Sequence, residues 1–154
     1  GSHQAHALIM LDLDFFKAVN DSAGHAAGDA LLHEIAKLMR SVLRPSDILA
    51  RLGGDEFGFI LRHCSTEQAV NVTERVVDAI NHYEFIWAGR LHRVGASAGL
   101  TLVHEHNAKL AELLVQADAA CYDSKNNGRG RVTVYTPVVH TGDQSSVCQI
   151  CNNA

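Results

Sequence analysis

Hydrophobic and polar positions along the chain follow two periods, one suited to strands and one to helices. His6 to Leu13 (HALIMLDL) is an apolar run ending in acidic residues, the pattern of a buried strand with carboxylates at its C-terminal end. A short helical stretch follows from Phe15 to about Asp21, closed by Ser22-Ala23-Gly24. From Asp29 to about Leu43, residues Leu31, Ile35, Leu38, Met39 and Val42 recur at helical spacing, with Pro45 just past the end. Ile48 to Leu52 and Phe57 to Leu61 flank Gly53-Gly54-Asp55-Glu56, which reads as a β-hairpin with an acidic pair at its turn. Ser65 and Gln68 have capping-box spacing ahead of a helix through Ala69, Val76, Val77 and Ile80. His92 to Val103 is small and β-branched, a central strand in which Gly95 and Gly99 mark close backbone approach. Asn107 to about Asn127 puts Leu110, Leu113, Leu114, Ala117 and Cys121 on one helix face, with Gly128 as C-cap, and Arg131 to Tyr135 is the last strand.

The resulting order is strand, helices, strand, strand, helix, strand, helix, strand. It predicts an α/β (α+β) fold, a mixed sheet of about five strands flanked by helices on the ferredoxin-like βαββαβ plan. With 154 residues, 47% of them hydrophobic and 19% charged, the chain has the size of one domain with a real core, and no internal repeat suggests a second. A formal charge of -4 argues against a broad surface for nucleic-acid polymers, so any phosphate binding must be local. No apolar run approaches the roughly 20 residues of a membrane span, and the expectation is a soluble, cytoplasmic protein.

At the ends, Gly1-Ser2-His3 looks like a tag remnant, and after Pro137 the composition turns polar, so the domain is expected over 4–136 with a flexible tail over 137–154. The cysteines Cys64, Cys121, Cys148 and Cys151 are irregularly spaced and read as reduced thiols. Cys148 and Cys151 form a lone CxxC, half of a zinc site, with only scattered histidines such as His140 to complete it.

Five groups of residues carry candidate chemistry. Asp12 and Asp14 are two apart on one strand and share a face, where Asp14 also reads as a helix cap and Asp12 needs solvation, pairing or a cation. Asp55-Glu56 can be a plain turn, yet with Asp12 it offers hard oxygen donors from neighbouring strand ends, as Mg²⁺ on nucleotide phosphates requires. The helix start at Phe15, with Lys17 in its first turn, suits a phosphate. Asn20 and Asp29 read equally as helix-end residues and as an amide and carboxylate able to bond the edge of guanine. Lys125 and Arg129 either answer the dipole at the end of the last helix or clamp phosphates.

In this order the motifs resemble the GGDEF family of diguanylate cyclases. The signature stands as Arg51-Leu52-Gly53-Gly54-Asp55-Glu56-Phe57, among DLDFFKAVND (Asp12 to Asp21), GHAAGD (Gly24 to Asp29), SAG (Ser97 to Gly99), ADAACY (Ala117 to Tyr122) and KNNGRGRV (Lys125 to Val132). The resemblance runs from about Ala7 to Tyr135. It implies a fold similar to the palm-like catalytic domain of adenylyl cyclases and the condensation of two GTP into cyclic di-GMP and two pyrophosphates, with Mg²⁺ or Mn²⁺ as cofactor. It further implies Asp12, Asp55 and the Leu13 carbonyl as metal ligands, Asp55 as general base with Glu56 beside it, and Asn20 and Asp29 on guanine. Lys17, Lys125, Arg129 and the N–H groups of Phe15 and Phe16 match phosphate contacts, and Gly53 and Gly54 belong to the GTP site. Catalysis then needs a homodimer, each domain holding one GTP.

Arg44-Pro45-Ser46-Asp47 is an RxxD with five residues between Asp47 and Gly53. By the same resemblance it is an inhibitory site for cyclic di-GMP, with Arg75 as a secondary contact; read locally, it flanks the turn after a helix. The family ordinarily starts upstream with a helix and a DxLTGLxNRR loop, and a sensory domain controls dimerisation. This chain opens almost on its first core strand, so a domain trimmed at its front edge is expected, with that partner lying upstream in a longer protein. Cys121 and Ser124 stand where Leu and Ala are commoner. The alternatives are a non-catalytic module that binds cyclic di-GMP through Arg44 and Asp47, and a structural domain with incidental acidic turns.

Overall fold

A computed structural model describes residues 5–104 and 109–137. The elements are β1 (His6–Asp14), α1 (Phe16–Ala23), α2 (His25–Val42), β2 (Ile48–Arg51), β3 (Glu56–Leu61) and α3 (Thr66–Asn81), then β4 (Phe85–Trp87), β5 (Arg90–His92), β6 (Gly95–Val103), α4 (Leu110–Asn126) and β7 (Val132–Val134). One five-stranded sheet runs β2-β3-β1-β6-β7. Its central strand β1 is antiparallel to both β3 and β6, β2 is antiparallel to β3, and β7 joins β6 in parallel after the α4 crossover. This is the expected mixed five-stranded sheet, with β1, the β2–β3 hairpin and β6 as its βαββαβ core.

The period-2 alternation of β1 divides the molecule. Ala7, Ile9, Leu11 and Leu13 enter the main core with Phe57, Phe59 and Leu61 of β3 and with Leu31, Ile35 and Ile80 of the helices. Leu8 and Met10 turn the other way and meet Leu113, Ala117 and Cys121 of α4. Burial on both faces makes β1 apolar without a break from Ala7 to Leu11. The α4-facing series begins at the half-buried His6, is apolar at Leu8 and Met10, and turns polar again at Asp12 and Asp14.

α4 lies on β6 at backbone contact. A Cβ on Gly99 would stand 2.1 Å from the Cys121 nitrogen and 2.2 Å from the Ala117 oxygen. The Ser124 hydroxyl donates to the Ala98 carbonyl at 2.7 Å and the Cys121 thiol to the Ser97 carbonyl at 3.3 Å, so helix and strand are also hydrogen-bonded. The capping box at Ser65 and Gln68 forms as expected.

Three local expectations are corrected. α2 begins at His25 rather than Asp29, because Gly24, at φ 94°, takes a backbone conformation open to glycine, turns the chain sharply and lets its N–H close α1 on the Asn20 carbonyl. The β4–β5 hairpin was not expected; its turn, Ala88-Gly89, puts both residues at positive φ (49° and 77°), as a two-residue hairpin needs, but lacks the usual Asn-Gly signal. Asp14 does not cap α1, whose N-cap is Phe15 with no side-chain cap bond. The expectations for Gly1-Ser2-His3, for Asn107 at the start of α4 and for the tail from residue 138 with His140, Cys148 and Cys151 lie outside the described residues. Among the described residues no helix is long and apolar enough to cross a membrane.

Gly99→Ala should cost about 3 kcal/mol of stability or more, because the clash is with helix backbone that cannot rotate away. Urea denaturation measures this, and a loss below about 1 kcal/mol would mean that α4 is free to shift.

Candidate functional site

The site is built where β1 ends. Antiparallel register sets Asp12 directly opposite Glu56, the first residue of β3, on the α4-facing side of the sheet. Like charges in that relation repel. The Leu52–Asp55 turn is closed by N–H groups of Leu52 and Gly53 on the Glu56 carbonyl at 2.9 and 3.4 Å, and Arg51 Nε holds the Gly53 and Gly54 carbonyls. The Asp55 carbonyl accepts the Leu13 N–H at 3.0 Å, which ties the turn to the end of β1.

α4 supplies the counter-charge. Lys125 Nζ stands 2.6 Å from Asp12 Oδ2. The Glu56 carboxyl is nevertheless pushed above the ordinary carboxylate range, first by the Asp12 charge, then by partial burial, Asp55 and Asp118, with Lys125 opposing. Asp118 is raised as well, by burial and then by Asp12. Burial works against the charged Lys125, yet its bond and attraction to Asp12 hold its pKa above the usual value. The Cys121 thiol behind them is pushed up to about 12, chiefly by burial, and is inert. Negative charge therefore exceeds what one lysine offsets. Asp12, Asp55 and the Leu13 carbonyl, the ligands that the resemblance implies, offer hard oxygens of the kind a small divalent cation takes. Among the described residues no group of three or more His, Cys, Asp or Glu side chains is placed to hold a metal ion, so protein carboxylates alone do not complete such a site.

Beside this cluster, Phe15 adopts a left-handed conformation (φ 67°) and α1 starts at once, its first turn uncapped by any side chain and Lys17 exposed in it. Arg129, in the loop after α4, pairs with the buried Asp14 at 3.0 Å and lies 5.7 Å over the Phe15 ring. The C-cap of α4 is Asn127 and not the expected Gly128, which follows it at φ 114° and turns the chain just past the helix.

Asn20 and Asp29 come from adjacent helices. A Cβ on Gly28 would stand 1.8 Å from Asn20 Oδ1, so that glycine makes room for the carboxamide. Asp29 is exposed in the second turn of α2 and, with Leu32, His33, Leu49, Arg51 and Phe57, lines a cavity of about 510 Å³ between α2 and the β2–β3 edge. A cavity of about 530 Å³ at the far end of β1, lined by His6, Leu8, Ile48 and Val103 among others, contains none of these candidates except through the sheet itself.

Arg44 and Asp47 form a separate unit after α2. Asp47 is buried and takes Arg44 Nη2 at 3.0 Å, the Arg44 N–H at 2.9 Å and the Arg62 N–H at 3.2 Å. Burial works against its charge, but these hydrogen bonds prevail and hold its pKa below the usual carboxylate value. Arg75 is exposed on α3 and, among the described residues, makes no hydrogen bond or ion pair with either. Asp118, Ser97 and Asn81 were not singled out from the sequence. Asp118 could have been found, since it is one helical face with Cys121 and Lys125; Ser97 and Asn81 act through contacts distant along the chain.

A family model described as diguanylate cyclase, GGDEF domain, matches residues 1–131. The chain is 65% identical over 136 residues to the probable diguanylate cyclase DgcE of Escherichia coli, covering 88% of this chain and 12% of that protein. It thus spans about an eighth of that relative's length. Among solved structures, the GGDEF domain of TpbB (YfiN) from Pseudomonas aeruginosa superposes with a TM-score of 0.82 at 34% identity, over 89% of this chain and 86% of that one. The GGDEF domain of DgcB from Caulobacter crescentus, solved in complex with c-di-GMP, gives 0.80 at 27% identity, over 86% and 78%.

The charge balance can be read by carboxyl NMR titration. Asp12→Asn should lower the Glu56 pKa and Lys125→Met should raise it; shifts of the opposite sign would contradict the assignment. Because Glu56 and Asp118 bind protons more tightly folded than unfolded, the cluster destabilises the fold as pH rises through their range. Lys125→Met should therefore cost more stability near about pH 7 than near about pH 4.

Proposed function

The chain belongs to the GGDEF diguanylate cyclase domain family, and from that membership and the geometry of the site we propose that it condenses two GTP into cyclic di-GMP. The observation that carries the reading is the convergence of Asp12, Asp55, Glu56 and Lys125 at one end of the sheet, next to the uncapped start of α1 and the cavity that Asp29 lines. Asn20 and Asp29 take the guanine edge, an amide and a carboxylate matching its donors and acceptors. The first-turn N–H groups at Phe15 and Phe16, with Lys17, Lys125 and Arg129, take the phosphates. The turn at Gly53 and Gly54 leaves the nucleotide room to lie against backbone.

Asp12, Asp55 and the Leu13 carbonyl would hold a divalent cation, Mg²⁺ or Mn²⁺, which when bound withdraws charge from the α-phosphate and the leaving pyrophosphate. The 3′-oxygen of one GTP attacks the α-phosphorus of the other; the bond to the β-phosphate bridging oxygen breaks and pyrophosphate leaves. Asp55 accepts the 3′-hydroxyl proton, and Glu56, whose carboxyl the Asp12 charge holds above the ordinary range, completes the acidic pair beside it. Each domain holds one GTP, so two copies must face each other about a two-fold axis for both bonds to form. An upstream sensory and dimerisation domain in a longer protein would supply that encounter. Use of GTP puts the domain in the cytoplasm.

Product control is assigned to Arg44 and Asp47, with Arg75 as a secondary contact. Arg44 is 53% exposed and Asp47 1%, so the guanidinium is the group that meets the ligand while the carboxylate beneath aims it.

Incubation with GTP and Mg²⁺ should yield cyclic di-GMP at a rate per protein that climbs with protein concentration, and Asp55→Ala should abolish it. Arg44→Ala should keep the initial rate while relieving the slowdown as product accumulates. Tight cyclic di-GMP binding with no turnover at high protein concentration would instead favour the non-catalytic module.

Gly28→Ala offers a cleaner test of the guanine contact. Alanine should stabilise the helix by up to about 1 kcal/mol. The displaced Asn20 carboxamide should nonetheless cost about tenfold in GTP affinity, a lost hydrogen bond to a buried polar edge. Unchanged affinity would remove Asn20 from the site.

A further inference from the structure

We infer that Asp14 is a positioning residue for the phosphate-binding half of the site, acting through Arg129 and the turn at Phe15. The inference rests on the cyclase reading above. Asp14 ends β1 and is 1% exposed. One oxygen accepts Arg129 Nη1 at 3.0 Å. The other accepts the Ser97 hydroxyl at 2.7 Å and the Gly130 N–H at 3.3 Å. A carboxylate out of water needs such a set, and here its donors come from β6 and from the loop between α4 and β7.

The backbone is strained on both sides of this carboxylate. Phe15, next in the chain, has φ 67°, and Arg129 has φ 64°. Bulky residues stay in the left-handed region only where their surroundings over-determine them. Asp14 joins the two strained turns through one side chain. The Asn81 amide donates to the Gly130 carbonyl at 3.4 Å, so Gly130 is held at both its N–H and its carbonyl.

The consequence lies in what is left free to act. A guanidinium has five N–H donors, and Asp14 takes one from Arg129, whose Cζ lies 5.7 Å over the Phe15 ring. The rest of the fork is held next to the first turn of α1, where no side chain fills the helix N–H groups. Asp14 thus sets the angle of Arg129 and the start of α1 together, and the two sets of donors form one cradle for the terminal phosphates. A carboxylate that only knitted β1 to the loop would affect stability and leave nucleotide selectivity alone.

A double-mutant cycle separates these roles. Asp14→Asn, Arg129→Ala and the double variant are titrated by calorimetry with GTP and with GMP in Mg²⁺, and their melting is followed in parallel. Asp14→Asn should weaken GTP about tenfold and GMP less than about twofold, and the double variant should bind GTP within about twofold of Arg129→Ala alone. GTP losses that multiply in the double variant, or equal losses for GTP and GMP, would reduce Asp14 to a structural role and overturn the inference. Should Asp14→Asn not fold, Ser97→Ala takes its place: a loss confined to GTP supports the inference, and unchanged GTP affinity overturns it. Wild-type protein that binds GTP but forms no cyclic di-GMP would sink the cyclase reading while the cycle still decides on Asp14; wild type that binds no GTP would overturn both.

Discussion

The register of β1 between β3 and β6 governs everything built at its end. Seven of its nine residues are buried, on two faces, and a slip of one position would exchange those faces. Ala7, Ile9, Leu11 and Leu13 would leave the main core, and Asp12 and Asp14 would enter it. Burying a large aliphatic side chain is worth roughly 1.5–3 kcal/mol, and an unpaired buried carboxylate costs several more. The difference leaves no competing register. Asp12 therefore faces Glu56 because of apolar residues several positions upstream, and the acidic cluster is a consequence of the core.

Such a cluster opposes folding unless something offsets it. The close approach at Gly99 brings α4 down onto β6 and carries Lys125 to within 2.6 Å of Asp12. A larger residue at Gly99 would move the lysine as well as the helix. One ammonium still leaves Glu56 and Asp118 raised. The remaining negative potential is what makes the site receptive to a further cation, and it is a local property that a net charge of -4 does not reveal.

What could be read in the sequence follows from how far each determinant reaches along the chain. β1, the Gly-Gly-Asp-Glu turn and the apolar face of α4 were legible, because alternation, turn residues and helical spacing are local signals. Asn20 and Asp29 are ambiguous by chemistry, and only the resemblance in motif order implies a guanine contact. The role of Asp14 was not legible: the capping rule looks a few residues ahead, whereas its arginine partner is 115 residues away. The start of α2 was missed for a related reason, since Gly24 at positive φ lets two helices abut where loop composition suggested a gap. The β4–β5 hairpin lacked the common turn pair, so its apolar residues carried too little signal alone.

Asp14 and Asp47 turn out to be the same device used twice. Each carboxylate is 1% exposed, and each holds an arginine that is about half exposed, Arg129 at 46% and Arg44 at 53%. In both units backbone N–H groups fill the remaining acceptor capacity, Gly130 in one and Arg44 and Arg62 in the other. The pairing nearly cancels net charge, so neither arginine attracts anions from a distance as a free cation would. What it presents is direction: a planar fork fixed from below, held by one N–H at Arg129 and, at Arg44, by Nε and Nη2 together, so that Nη1 is the edge Arg44 turns outward. Lysine at either place would lose the planar fork, and a free arginine would give up side-chain entropy on every binding event. On the proposed reading, a buried acid beneath an outward arginine would give an acidic domain two narrow, oriented sites for phosphorylated ligands without making it a general polyanion binder.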